Sequence, residues 1–188
     1  MTARLVALAK RGLGALFADY RINWIYALAR EDARAPVAAE PVAVDANLVT
    51  KLLASDCEQL RKAARYAEAG MPGYAIVERA EPLCVVHFAD AAHYDRAGTW
   101  PLKDGEWSLI DIVTAPQARG RGLAPQLIRA SAARLFDEHG ARALSAFIWW
   151  SNAPSIAAFR RAGWRRVALS LEWRRSDRWQ HIHLRLPG

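Results

Sequence analysis

Two glycines one residue apart, in the run Ala115-Pro116-Gln117-Ala118-Arg119-Gly120-Arg121-Gly122-Leu123-Ala124, stand between a strand-like segment and a helix-like one. Free N–H groups at a helix start, backed by the helix dipole, can hold a diphosphate. Glycine lets such a ligand approach the backbone with no Cβ in the way. A plain glycine turn with solubilising arginines shares this spacing, and neither the Walker A pattern nor the full GxGxxG dinucleotide fingerprint is present. The preceding segment, Glu106–Thr114 (EWSLIDIVT), carries two carboxylates, Glu106 and Asp111. A carboxylate beside a reactive centre can serve as a general acid or base. By the period of two, Glu106 and Ser108 share one face and Asp111 takes the other. Mid-strand, between Ile110 and Ile112, an unpaired carboxylate is costly, so Asp111 needs either a structural ion-pair partner or a role in catalysis or amine binding.

The elements that must position these groups follow from pattern. Leu5, Leu8, Leu13, Leu16, Phe17 and Tyr20 have helical spacing, interrupted by Gly12 and Gly14. RINWIYAL, 21–28, reads as a strand, and the Pro36 and Pro41 segment as a connection. A second helix is predicted over 46–69, ending at Gly70 and Pro72. Strands at 74–79 and 83–88 read as a hairpin around Glu81-Pro82. After the 106–114 strand comes a helix over 123–139, with Leu127, Ile128, Ala132, Leu135 and Phe136 on one stripe and Gly140 as its stop. A strand at 143–149, a short helix at 152–162 and closing strands at 164–173 and 180–186 complete an α/β pattern without repeats.

The 188 residues, 53% hydrophobic and 24% charged, make one domain of 1–188 with enough chain for a core, and exclude disorder and coiled coil. No apolar run approaches the roughly 20 residues of a membrane span, and Arg4, Lys10 and Arg11 interrupt any signal core, so a cytoplasmic location is expected. Cys57 and Cys84 have no CxxC or Cys/His spacing, which indicates neither disulfide nor metal; both read as small hydrophobes. Of the net charge of +7, residues 117–188 carry 13 − 4 = +9 and residues 1–116 carry 13 − 15 = −2. A basic C-terminal part fits a polyanionic partner: a nucleic acid, a phosphorylated cofactor or an acidic carrier protein.

The strand–loop–helix sequence resembles the GNAT N-acyltransferase superfamily, whose [Q/R]xxGx[G/A] motif is matched by Arg119-Gly120-Arg121-Gly122-Leu123-Ala124. An overlapping match starts at Gln117. The later register keeps the family's proline three residues ahead and puts Leu127 and Ile128 where its helix turns apolar. The family's N-x-x-[AS]-x-x-x-[YF]-x-x-x-G-[FW] element is matched without a gap by Asn152, Ser155, Phe159, Gly163 and Trp164. The resemblance covers roughly residues 70–175 and leaves 1–45 as an N-terminal, partly helical extension. It implies a mostly antiparallel central sheet flanked by helices. It also implies acetyl-CoA as co-substrate without metal, with its diphosphate on the loop amides, pantetheine along Ile112, Val113 and Thr114, and contacts from Asn152, Ser155 and Phe159. The carboxylate of the family's histone-acetyltransferase branch falls on Ser108, so Glu106, two residues earlier, is the candidate base and Asp111 the second candidate. Phe159 stands where many relatives have a tyrosine acid; a thiol near pKa 8.5 can leave as its anion.

The leading expectation is transfer of an acetyl group to a primary amine of a small molecule. An acyl-carrier-protein donor and a non-catalytic CoA-binding module are the alternatives; nucleic-acid binding is not expected, because the arginines cluster around motifs already explained. Arg160-Arg161 and Arg165-Arg166 are placed to flank the cofactor's 3′-phosphate or to form a solvated basic face. His87, Asp90, His93, Tyr94 and Asp95 form a polar loop or an acceptor lining, and His181 and His183 share a strand face without a third metal ligand. Trp149-Trp150, two of eight tryptophans, suit the cleft, the core or a homodimer face. The basic, apolar first helix suits its own domain, a partner or a membrane surface.

Overall fold

The computed structural model describes residues 19–33, 40–94, 99–174 and 178–187. Eight strands, β1 Asp19–Ala29, β2 Val42–Ala43, β3 Gly73–Glu78, β4 Glu81–Ala89, β5 Glu106–Thr114, β6 Ala143–Trp149, β7 Arg165–Arg174 and β8 Trp179–Arg185, form one sheet. Four helices accompany it: α1 Ala46–Leu53, α2 Glu58–Glu68, α3 Leu123–Glu138 and α4 Ala153–Arg161. The strand order is β2-β3-β4-β5-β6-β1-β7-β8. Among the described strands, β5 and β6 are the one parallel pair, because α3 connects them as a crossover.

The stripe predicted on α3 is buried as a unit: Leu127, Ile128, Ala132 and Leu135 are fully inaccessible and Phe136 nearly so. It packs with Val85, Val86 and Phe88 of β4 and Leu144 of β6 in one core.

Several elements differ from the sequence pattern. The strand predicted over 21–28 is β1, but it is no part of a peripheral extension: it lies between β6 and β7, with Ile25, Tyr26 and Leu28 in the core. The helix predicted over 5–20 lies outside the described residues up to residue 18, and Tyr20 is already in β1. The single helix predicted over 46–69 is two, because Ser55 accepts the Cys57 N–H on Oγ and the Arg61 guanidinium on its carbonyl, drawing groups out of a continuous helical ladder. The β3–β4 hairpin turns at Arg79-Ala80, with φ of 51° and 66°, not at Glu81-Pro82. Two positive φ values give the turn whose twist suits adjoining strands.

One irregularity matters for chemistry. His87 stands opposite Asp111, and Ala89 stands opposite Ser108, so two steps on β4 span three on β5. This β-bulge reverses the alternation. His87 and Ala89 share a face, so Asp111 shares one with Ser108, contrary to the strict period of two.

Candidate active site

The sheet opens where β5 and β6 part. Pairing covers Glu106–Leu109 against Ala143–Ala146 and stops, although β5 runs on to Thr114 and β6 to Trp149. Beyond the fork β6 pairs with β1 alone. On β5's other side the Ala115 N–H donates to the Leu83 carbonyl. By the alternation of an antiparallel ladder, the backbone groups of Ile112 and Thr114 turn toward the open side. Arg119 Nε donates to the Thr114 carbonyl at 3.3 Å.

At the end of this open edge lies a cavity of about 570 Å³, lined by Ile112, Val113 and Thr114, by the loop and by α4. Gly120 and Gly122 both have left-handed backbones, φ 78° and 73°, and Gly122 is the N-cap of α3. That conformation needs glycine. A Cβ at Gly120 would meet nothing within 4 Å, so the space it would occupy is open. Leu123 and Ala124 open α3 and line the cavity, at helix positions whose N–H groups have no partner within the helix. Pro125 follows them and also lines the cavity.

The remaining predicted residues divide. Ser155 lines the cavity from α4, while Asn152 caps that helix, its Oδ1 accepting the Ser155 N–H at 3.2 Å. Phe159 is not presented there: it is buried, with its ring 5.0 Å from Trp164 and 5.9 Å from Tyr26. The helix phase that puts Ser155 and Ala158 on the groove turns position 159 into the core. Arg121 leaves the loop to clamp Glu78 of β3, at 2.9 and 3.2 Å. Of the four arginines placed near a 3′-phosphate, Arg161 lines the cavity. Arg165 pairs with Asp32 at 2.7 Å, and Arg166 stacks 4.0 Å from the Trp24 ring centroid. Gln59, at the start of α2, also lines the cavity; no motif marked it.

Glu106 stands before the fork, and Lys103 N–H donates to its carboxylate at 3.2 Å. It lines neither this cavity nor the second one. Asp111 lies within the open stretch; burial raises its carboxyl to about 6, opposed by the Ile112 N–H. Opposite it, His87 is wholly buried and its pKa is lowered to about 4 by that burial. A Cβ at Gly73 would lie 2.6 Å from the His87 ring, so the glycine makes the imidazole's room. Each of the facing pair is pushed toward its neutral form.

A second cavity of about 250 Å³ lies at the fork itself, between Tyr66 of α2, His93 and Tyr94 of the loop after β4, Ser108 and Ile110 of β5, and Phe147 of β6. His93 Nδ1 is 2.7 Å from Asp90 Oδ1. Trp149 and Trp150 line neither cavity; Trp149 lies against Tyr20, ring centroids 6.0 Å apart. His183 Nε2 meets the Thr99 carbonyl at 2.7 Å, and no group of three or more potential metal-ligating side chains occurs among the described residues.

A mixed sheet with one parallel pair, forked beside a glycine loop that opens a crossover helix, defines an acyltransferase-type architecture. The sequence profile of the acetyltransferase (GNAT) domain matches residues 23–165, and the chain belongs to that family. No curated protein sequence matches it. Among solved structures, a GNAT-family protein from Novosphingobium aromaticivorans superposes with a TM-score of 0.57 at 18% identity, over 82% of this chain and 64% of its own. A GNAT-family acetyltransferase from Colwellia psychrerythraea gives 0.54 at 13%, over 94% and 62%. A tandem GNAT protein from the clavulanic acid biosynthesis pathway gives 0.56 at 15%, over 95% and 59%. The chain thus spans about three fifths of the length of these neighbours, which share its fold. No described helix is long and apolar enough to cross a membrane.

Proposed function

We propose that the protein transfers an acetyl group from acetyl-CoA directly to a primary amine of a small molecule, in the cytoplasm. The observation that carries this reading is the continuity of the larger cavity, from the N–H groups at the start of α3 to the open backbone edge at Ile112 and Thr114. The diphosphate rests on the loop amides and the dipole of α3. The pantetheine arm pairs with the open edge of β5, which brings the thioester toward the fork. There a backbone N–H polarises the carbonyl oxygen as the amine attacks. The second cavity meets the same strand at Ser108 and Ile110 and receives the amine. Asp111 lines neither cavity, but it shares the sheet face of Ser108 and, once ionised above its raised pKa of about 6, draws the acceptor's ammonium toward the fork.

Calorimetric titration with acetyl-CoA at two salt concentrations tests the donor site. Micromolar binding that weakens with salt is expected; no binding to acetyl-CoA or CoA removes this reading and favours a carrier-protein donor. The arginines separate in the same experiment. Arg161→Gln should weaken acetyl-CoA about tenfold, the loss of one charge-assisted contact. Arg121→Gln should leave affinity within about threefold, since Arg121 is held by Glu78 rather than facing the groove.

A further inference from the structure

The loop after β4 builds a small device at the mouth of the second cavity. One carboxylate oxygen of Asp90 accepts the backbone N–H groups of Ala92 and His93, each at 3.1 Å, and faces His93 Nδ1 at 2.7 Å. Burial pushes the Asp90 carboxyl up, but donation from the His93 ring, the His93 N–H and the Ala92 N–H outweighs it and holds the group below the ordinary range. Asp90 therefore stays ionised and draws the imidazole proton to Nδ1. The lone pair of the neutral ring is then on Nε2. Beside Nε2 is Gly70, with φ 81°, whose missing Cβ would stand 3.9 Å away. His93 lines the same cavity as Leu109, the last residue of β5 paired with β6, and Ile110, the first beyond the fork.

We propose that His93, oriented by Asp90, takes the proton from the acceptor's ammonium group in the cavity at the β5–β6 fork. This rests on the acyl-transfer reading above. The ammonium gives one proton to His93 Nε2 and becomes a free amine, whose nitrogen lone pair forms the new C–N bond at the thioester carbonyl. The C–S bond breaks, and the sulfur leaves with its electron pair and takes the second nitrogen proton, giving amide and CoA thiol. The imidazolium, beside Asp90, returns its proton to solvent, to which the part-exposed ring is open. A cavity of about 250 Å³ lined by Tyr66, Met71, Tyr94 and Phe147 selects a small amine with an apolar or aromatic body. The titratable groups around His93 are Asp90 on its own loop, Tyr66 from α2, Tyr94 beside it and, behind Tyr66, His87 at 5.6 Å between ring centroids.

The probe is 2-phenylethylamine, with the His93 ring protons followed by NMR and acetyl transfer followed by thiol release. Added amine should shift the His93 signal. His93→Gln should lower kcat/KM about a hundredfold near pH 7. That deficit should shrink as pH rises toward the amine's own pKa, because solution then supplies free base. Asp90→Asn, which removes the carboxylate that orients the His93 ring, should lower kcat/KM for the amine about tenfold. Acetyl-CoA affinity should be unchanged in both variants, which separates this result from failure of the donor site. An unshifted His93 signal, a deficit constant across pH, or wild-type turnover in His93→Gln overturns the proposal. Absence of acetyl-CoA binding in the wild type overturns the acyl-transfer reading itself.

Discussion

Gly122→Val is expected to abolish measurable acetyl-CoA binding in a protein that still folds. The position has φ 73° and caps α3 at the cavity wall. Valine there suffers the left-handed backbone strain of a β-branched residue, on the order of 1–2 kcal/mol. Relief of that strain turns the peptide and misdirects the N–H groups of Leu123 and Ala124. The loss of several oriented donors at about 1 kcal/mol or more each predicts at least a hundredfold drop in affinity. The stability cost alone should lower Tm by only a few degrees. Gly140→Val is the control: φ is 63° and nothing stands within 4 Å, but the residue follows the other end of α3. It should lose similar stability and keep its affinity. Micromolar binding retained by Gly122→Val would remove the loop from the site.

The second large effect is on stability and comes from the facing pair Asp111 and His87. Asp111 has its folded pKa raised from 3.8 to about 6, so folding favours its protonated form. Its contribution is most favourable below pH 3.8 and is lost as pH rises through 6, by about 3 kcal/mol. His87 has its folded pKa lowered from 6.5 to about 4, so folding favours its neutral form. Its contribution is fully present above pH 6.5 and is lost as pH falls toward 4, again by about 3 kcal/mol. Between pH 4 and 6 the two slopes oppose each other and the wild type should be nearly flat. Asp111→Asn should raise stability at neutral pH by about 1–3 kcal/mol and expose an acid-sensitive slope. His87→Leu should do the reverse, gaining stability on acidification. Denaturant midpoints across this range decide it, and parallel curves for the two variants would show that the pair is not buried as described. The Asp111→Asn enzyme should also show a raised KM for the amine; a stabilised variant with unchanged kinetics would leave Asp111 without a role at the fork.

Buried charge that costs stability is a reason to look for function, and the reading of Asp111 illustrates what a linear pattern can carry. Its strand was legible to the residue, and the helix after the glycine loop to within one residue at its end, because alternation and the 3.6 period are local properties of a chain that must bury one face. Its direction was not. The bulge between Asp111 and Ser108 arises from pairing with β4, and a one-residue slip reverses every face beyond it.

The same division runs through the site. Gly120 and Gly122 were marked by type and spacing, since a glycine-opened helix start can be recognised from neighbours in sequence, and the family motifs added Arg119, Leu123, Ala124 and Ser155, which line the cavity. Phe159 was marked by the same family resemblance and lies in the core, since the face of a short helix that meets the groove is set by what packs behind it. Arg121 and Arg161 look alike in sequence, yet Glu78, 43 residues away, holds the first and leaves the second to the cavity. Glu106 satisfied the alternation but stands before the fork, whose position is set by where β6 stops pairing.

By itself the sequence determined the class of fold, the family and the glycine loop that opens α3, all written in residues close together along the chain. Tertiary structure decided that residues 19–29 are a central strand, where the sheet divides, and that Asp90 and His93 stand at a cavity with Ser108 and Phe147. Those are contacts between distant segments, settled by competition among packing partners, and no local period records them.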